Sequence, residues 1–197
     1  MGLETCPKIG YTNHQQQKVA GKLMKSILIV YATKTGTTAT AAKLLCEGLA
    51  GREVTLCTTE DAASDPTPYD IVVIGSCIRY AKLCKPMREY LKRWESVLAG
   101  KQTGYFLVCG YPDSADEYYE KNLTEEQRER AFELACFGGE MVPAHAKNLW
   151  DKLVLKIERD HILGGGNNGE QREDAVLPTI SEVNIAQFAG KLKQLSL

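Results

Sequence analysis

From residue 26 onward the sequence predicts an α/β protein built on a parallel sheet with helices on both faces. Three features carry that expectation. Short β-branched or aromatic runs alternate with amphipathic helical patterns, as repeated βαβ units require. The runs are apolar almost throughout, which suits strands covered on both faces. The first of them ends in YATKTGTT (31–38) where a helix begins, the place in such folds where ligands collect.

The elements follow in order. SILIVY (26–31) is the first strand. TTATAAKLLCEGLAG is the first helix, with Ala42, Leu45, Cys46 and Leu49 at helical spacing and Gly51 as its stop. EVTLC (53–57) and DIVVIG (70–75) are the next strands, bounded by Gly, Asp or Pro. KPMREYLKRWESVLAG is a helix with Pro86 in its first turn, Met87, Tyr90, Leu91, Trp94 and Leu98 on one side, and Gly100 past its end. GYFLVCG (104–110) is a strand, NLTEEQRERAFELA a helix with Thr124 and Gln127 at capping-box spacing, and a run near ACFGG (135–139) the last strand. HAKNLWDKLVLKIERD and ISEVNIAQFAGKLKQL are helices, the latter with an apolar stripe of Ile180, Val183, Ile185, Phe188 and Leu192. GGGNNGEQRED (164–174) between them has little to bury and is expected to be a loop.

The chain has 197 residues, 44% of them hydrophobic, enough for one domain with a proper core. Residues 25–197 are assigned to it. Residues 1–24 have neither the apolar centre of a secretion signal nor a regular period, and are expected to be a flexible N-terminal extension or a cloning-derived tail. His14 in that stretch is given no role. A formal net charge of -1 offers no electrostatic case for nucleic acid or anionic membrane as partner. No run reaches the roughly 20 apolar residues of a spanning helix, so no integral membrane segment is expected.

Seven cysteines stand at 6, 46, 57, 77, 84, 109 and 136, without a C-x-x-C pair or a His-rich counterpart. This spacing supports neither zinc nor an iron–sulfur cluster, and no metal site is expected. Reduced thiols point to a cytoplasmic compartment. Cys46, Cys57, Cys109 and Cys136 fall in apolar patterns and are expected to fill core space. His145 and His161 stand alone and are expected to be structural or exposed.

In a doubly wound sheet the loop after the first strand borders the crevice where the strand order reverses. Gly36 permits a close turn, and the first amides of the following helix carry the positive end of its dipole. The hydroxyls of Thr33, Thr35, Thr37 and Thr38 add donors on short side chains. Together they make a phosphate cradle, with Lys34 either beside the anion or in solvent. The loop lacks G-x-G-x-x-G and G-x-x-x-x-G-K-[ST], so a monophosphate suits it better than a dinucleotide or triphosphate.

IVYATKTGTTATAAKLL resembles the flavodoxin signature at the apolar pair, the aromatic, Thr33, Gly36, Thr38, Ala42 and Leu45. The resemblance runs from about residue 26 to the end. It implies a flavodoxin-like three-layer sandwich, a five-stranded parallel sheet of order 2-1-3-4-5 with helices on both faces, and an FMN phosphate in this loop. VVIGSCIRYAKLCKPMREYLKR is similar to a branch of that superfamily that includes the menaquinone-dependent protoporphyrinogen dehydrogenases, and LWDKLVLKI with a following glycine run is similar to its later helix.

A flat flavin ring needs aromatic faces and backbone donors. Two loops are placed for this, GSCIRYAK (75–82) and CGYPDSADEYY (109–119). Tyr80 and Tyr111 are candidates for stacking on the ring. Ser76, Cys77 and Ile78 present backbone groups, Gly110 lies beside Tyr111, and Arg79 faces either a substrate or solvent. Trp94 and Trp150 sit in helical patterns and are not expected at the ring. Cys77 has no resolving cysteine at short spacing, so a redox role for its thiol is not expected.

Two functions remain in competition. The first is an FMN-binding electron carrier that needs no catalytic side chain and meets a redox partner protein. The net charge argues against it, because the shuttle flavodoxins it resembles are strongly acidic. The second is an FMN-dependent oxidoreductase of the protoporphyrinogen or quinone dehydrogenase type, in which Arg79, Lys82, Lys85 and Arg88 meet a small organic substrate's carboxylates or lie on a solvated helix face. A receiver-type interaction module is disfavoured, since Ser26 to Thr33 contains no acidic residue for magnesium.

Overall fold

The computed structural model describes residues 24–139 and 179–196. The expectations for residues 1–23, for the helix from His145, for the loop 164–174 and for Trp150 and His161 lie outside the described residues.

The first strand, β1 (Ile27–Ala32), is buried along almost its whole length. It leads through a short turn into α1 (Thr37–Gly48), whose Ala41, Ala42 and Leu45 face the core. Then come β2 (Val54–Thr58), a single 3-10 turn at Ala62–Ser64, and β3 (Ile71–Arg79). A two-residue strand, β4 (Lys82–Leu83), folds back on β3 before α2 (Lys85–Arg93) and α3 (Glu95–Ala99). The remainder is β5 (Gln102–Val108), α4 (Ala115–Asn122), α5 (Glu125–Arg130), β6 (Ala131–Cys136) and the C-terminal α6 (Glu182–Leu195).

The main sheet runs β2-β1-β3-β5-β6 with every neighbour parallel, while β4 pairs antiparallel with β3 off that path. Without the β4 spur this is the expected order of five parallel strands. Alternate residues of each strand feed two separate cores, as a period of two requires. Ile27, Ile29, Ile71, Val73 and Phe106 pack with α1 and α6, whereas Leu28, Val30, Val72, Ile74 and Leu107 pack with Met87, Tyr90, Leu91 and Leu98 on the other face. Helices therefore cover both faces.

The first face is organised around aromatic rings. Phe106 stacks on Phe137 at 4.6 Å between centroids, and Phe137 meets Phe188 of α6 edge-on at 5.6 Å. Phe106 reaches this position only because its partner across β3 is Gly75, where a Cβ would overlap the ring. Phe132 lies over Gly104 in the same way.

Some expected boundaries shift for identifiable reasons. The strand 70–75 continues to Arg79, because Ser76 and Cys77 still find ladder partners in Ala32 and Val108. GSCIRYAK is therefore strand and hairpin rather than loop. The helix expected over 85–99 breaks at Trp94, whose N–H closes α2 on Tyr90 and whose carbonyl opens α3 to Leu98. The expected helix 122–135 begins later, on the capping box of Thr124 and Gln127, and stops at Arg130. Residues 131–136 form β6 instead, since the β5 edge supplies backbone partners and Phe132 has Gly104 to cover. In α6, Ile185, Phe188, Ala189 and Leu192 are buried, but Val183 is exposed and does not belong to the stripe. Cys57 is a buried core thiol that desolvation, helped by Asp61, pushes up to about 12. Cys109 is buried as well, but Cys46 and Cys136 are only half-buried.

The amino ends of β1 and β3 are tied by one carboxylate. The Ser26 N–H and hydroxyl donate to Asp70 Oδ2 at 2.8 and 2.9 Å, and the Asp70 N–H donates to the Ser26 carbonyl at 3.1 Å. The Ser26 amide is the main reason that the Asp70 carboxyl lies below its ordinary value, with the Ser26 hydroxyl, Lys101 and Lys25 adding to it. A carboxylate lowered in the folded state adds stability above its unfolded value and loses it as pH falls through its folded one.

Two outcomes are expected. Gly75→Ala should lower stability by about 1–3 kcal/mol, and by less in a Phe106→Leu background, measured as denaturant midpoints at constant slope; equal costs in both backgrounds would clear the ring of blame. The stability gap between the protein and its Asp70→Asn variant should be widest at neutral pH and narrow below roughly pH 4. A gap independent of pH would show that the charge plays no part.

Candidate functional site

Three of the sequence's candidate segments meet at the carboxyl ends of neighbouring strands. Ala32 pairs with Ser76, and Cys77 pairs with Val108, so the chain leaves β1 beside the outer half of β3 and leaves β5 on its other side. α1 departs to one face of the sheet and α2 to the other. The gap between β1 and β3 is thus the switch point at which open α/β sheets bind ligands.

The loop Thr33–Thr38 is shaped by Gly36, which stands immediately before α1 at φ 101, a conformation that L side chains rarely adopt. The Gly36 N–H donates to Thr33 Oγ1 at 3.1 Å, closing the turn. Thr35 and Thr37 hydroxyls lie 3.5 Å apart. The Thr40 N–H makes the first helical bond, to the Gly36 carbonyl at 3.0 Å, so the amides of Thr37, Thr38 and Ala39 have no acceptor within the helix. Thr33 and Lys34 are exposed, Thr35 is half-buried, and Thr37 and Thr38 are buried.

Thr38 Oγ1 is buried without a hydrogen-bond partner among the described residues. Such a group costs about 1–3 kcal/mol unless an acceptor reaches it. An orphan hydroxyl in the first turn, together with three unclaimed amides and the helix dipole, fits an anion bearing several acceptor oxygens.

The second segment is a hairpin. Ile78 pairs with Leu83 and Arg79 with Lys82, leaving Tyr80 and Ala81 as a two-residue turn with φ 52 and φ 57. Primed turns of this kind favour Asn and Gly, and holding other residues in left-handed geometry costs on the order of 1–2 kcal/mol each. Asn122, at the end of α4, restrains the turn. It accepts from the Leu83 N–H at 2.9 Å and donates to the Ala81 carbonyl at 2.9 Å and its own helix's Tyr118 carbonyl at 2.8 Å. Strain maintained in this way concentrates at functional sites.

Tyr80 at the hairpin tip is 74% exposed, with the Arg79 guanidinium 5.9 Å from its ring centroid. Ile78 and Arg79 are half-buried. Ser76 turns inward: its hydroxyl donates to the Cys77 carbonyl at 2.9 Å and accepts from the Cys84 N–H at 3.3 Å. The Cys77 sulfur lies within reach of the Lys34 N–H, which links hairpin and loop.

The third segment follows β5. Cys109 is buried and its N–H donates to the Gly138 carbonyl at 3.0 Å, while Gly110 and Tyr111 are half-buried at the start of the turn that leads to α4. The Cys109 thiol lies 3.5 Å from the Tyr111 carbonyl and 3.5 Å from the Cys136 sulfur. Among the described residues, two cavities of about 240 and 230 Å³ lie elsewhere, one between α3, β5 and α5 and the other between β6 and α6. The candidate site is an open cradle between loops.

Sequence reasoning missed Asn122 and Cys84 as parts of this region. Asn122 gave no signal, because a helix-terminal Asn is common. Cys84 is brought opposite Cys77 by a turn that lacks the usual Asn or Gly, so the spacing alone did not reveal it.

Comparison with known proteins bears on the whole region. A family model described as a flavodoxin domain matches residues 28–158. A short-chain flavodoxin associated with a non-canonical PDU bacterial microcompartment is 15% identical, with 88% of this chain and 100% of that chain covered at a TM-score of 0.54. The Fusobacterium nucleatum flavodoxin bound to flavin mononucleotide is 12% identical, with 88% and 100% covered at 0.52. Rubredoxin oxygen:oxidoreductase of Desulfovibrio gigas is 16% identical at 0.47, with 85% of this chain aligned but only 37% of that protein spanned. At these identities the two flavodoxins show the fold alone. No curated protein matches the chain.

Thr38→Val removes the orphan hydroxyl while keeping the side-chain shape. Without ligand, the variant should be as stable as the parent or more stable by about 1–2 kcal/mol, as measured by thermal or denaturant unfolding. A clear loss of stability would mean that Oγ1 already has a partner and the cradle is complete without an anion.

Proposed function

This chain belongs to the flavodoxin domain family, and on that premise we propose that it binds FMN non-covalently and serves as an electron-transfer protein. The observation that carries this reading is the Thr33–Thr38 loop, with its orphan Thr38 hydroxyl and first-turn amides at the β1–β3 switch point. The amides of Thr37, Thr38 and Ala39 and the hydroxyls of Thr33, Thr35, Thr37 and Thr38 hold the phosphate, with Lys34 at its rim. Ile78 borders the ring at the outer end of β3, where Ser76 and Cys77 hold the strand in place through their ladder pairs, while Tyr80 on the hairpin and Tyr111 beside Gly110 supply aromatic faces.

Bound FMN supplies the redox chemistry, accepting and releasing electrons at its ring. The protein's task is to fix the phosphate, orient the ring and set its surroundings. No catalytic side chain is assigned. A redox partner protein meets the exposed hairpin side, and the cysteine thiols suit a cytoplasmic setting.

A second reading is favoured by a specific feature: the side that bears the hairpin carries Arg79, Lys82, Lys85 and Arg88 in a chain of net charge -1. It is an FMN-dependent oxidoreductase of the protoporphyrinogen or quinone dehydrogenase branch. There the basic residues orient the carboxylates of a small organic substrate, and a quinone takes the hydrogen. Arg79 is the residue best placed for this, being half-buried next to Tyr80. Lys85 already pairs with Glu89 at 3.6 Å on the surface.

Titration of the purified protein with FMN and with riboflavin, followed by flavin fluorescence, tests the binding. FMN should saturate and bind far more tightly than riboflavin, which lacks the phosphate. Joint replacement Thr35→Val and Thr38→Val should weaken FMN binding by about 3–6 kcal/mol and leave riboflavin unaffected. Equal affinity of parent and variant for FMN would remove both hydroxyls from the site.

A further inference from the structure

We propose that Cys77 and Cys84 form a dithiol site that a low-molecular-weight disulfide converts into an intramolecular disulfide. The hairpin brings the pair together. Its register runs from Arg79 opposite Lys82 through Ile78 opposite Leu83, which sets Cys84 opposite Cys77 one step further on. The Cys84 N–H donates to the Cys77 carbonyl at 3.3 Å, so the strands are still in contact there. Residues directly opposite in an antiparallel pair share a face and have Cα atoms roughly 4.5–5.5 Å apart. A disulfide bridges Cα separations of roughly 4.4–6.8 Å, so the backbone needs no large movement. The two thiols hydrogen-bond to each other, and both residues are half-buried, within reach of a small reagent.

The surroundings divide the roles. Cys84 stands immediately before α2, with Ser76 Oγ 3.3 Å from its sulfur. The hydrogen bond with Cys77, then that with Ser76 and the amides of Met87 and Cys84, hold its thiol below the ordinary value despite burial. Cys77 is raised, first by the same hydrogen bond and then by burial, so it keeps its proton while Cys84 is ionised. Cys84 is therefore the attacking thiolate. It displaces one thiolate from the small disulfide and becomes a mixed disulfide. Cys84 then carries no charge, and the main cause of the high Cys77 value is gone. Cys77 loses its proton to solvent, attacks the Cys84 sulfur and expels the second thiolate. In sum, two protein thiols and one small disulfide give one protein disulfide and two small thiols.

The proposal stands apart from flavin binding, and its test is run on the full chain without added flavin. The protein is equilibrated in glutathione buffers of increasing oxidised fraction, quenched with acid, alkylated and digested with trypsin. Cleavage after Arg79 and Lys82 puts Cys77 and Cys84 on separate peptides, so a bond between them joins two fragments. The joined species should rise from a minority to a majority across the series, with tandem spectra placing the link at Cys77 rather than Cys57. The Cys77→Ser variant should instead accumulate one glutathione on Cys84, and neither Cys77→Ser nor Cys84→Ser should yield the joined species. The proposal is overturned if Cys77 and Cys84 are both recovered alkylated throughout while circular dichroism shows the fold intact. It is overturned equally if folded Cys77→Ser carries no glutathione on Cys84.

Discussion

The parallel pairing of β1 with β3 is the constraint on which the rest of the molecule depends. From Ile27 opposite Ile71 to Ala32 opposite Ser76, the ladder is lined on both faces by buried side chains. A slip of one residue would send every one of these side chains to the wrong core. The register is therefore fixed, and so is the point where the chain leaves β1. Because α1 turns to one face and α2 to the other, the first-turn amides of α1 open on a crevice that no other element fills among the described residues. Charge preference there follows from backbone geometry before any side chain is considered.

The extension of β3 turns this crevice into a composite site. Ordinary ladder pairing carries the strand past Gly75 to Arg79, and the two left-handed residues then reverse it. Asn122 holds the strained turn from α4, so a helix on the far side of the sheet determines how the hairpin stands beside the loop. The same turn brings together Cys77, which touches the loop through the Lys34 amide, and Cys84, which begins α2. The exposed Tyr80 tip and the thiol pair are thus two consequences of a single strand that runs four residues past Gly75.

How far the sequence revealed this depends on the kind of signal. The apolar runs of β1, β2, β3 and β5 were legible because doubly covered strands have a strong and simple composition. The loop Thr33–Thr38 was legible because threonines and a glycine at a strand-to-helix junction have few other uses, and the structure adds the unpartnered Thr38 hydroxyl to them. Residues 131–135 were misread as helix, and the last strand was placed near 135–139, because their local pattern continues α5; only the neighbouring β5 edge and Gly104 start the strand at Ala131. The break at Trp94 depends likewise on packing. The hairpin was hidden because Tyr80 and Ala81 are poor turn residues on their own, and the Asn122 bonds that stabilise them are remote in sequence. Local chemistry and, through the family resemblance, the order of the main sheet were readable, whereas the β3–β4 hairpin and the extent of β6 were not.

The central claim is that a phosphate monoester is held by the start of α1. Backbone amide NMR during titration with FMN, and in parallel with riboflavin, tests it most directly. The account predicts that the amide resonances of Gly36, Thr37, Thr38 and Ala39 move strongly downfield with FMN and hardly at all with riboflavin. Large shifts confined to other segments, or the same shifts in residues 36–39 with both compounds, would contradict it.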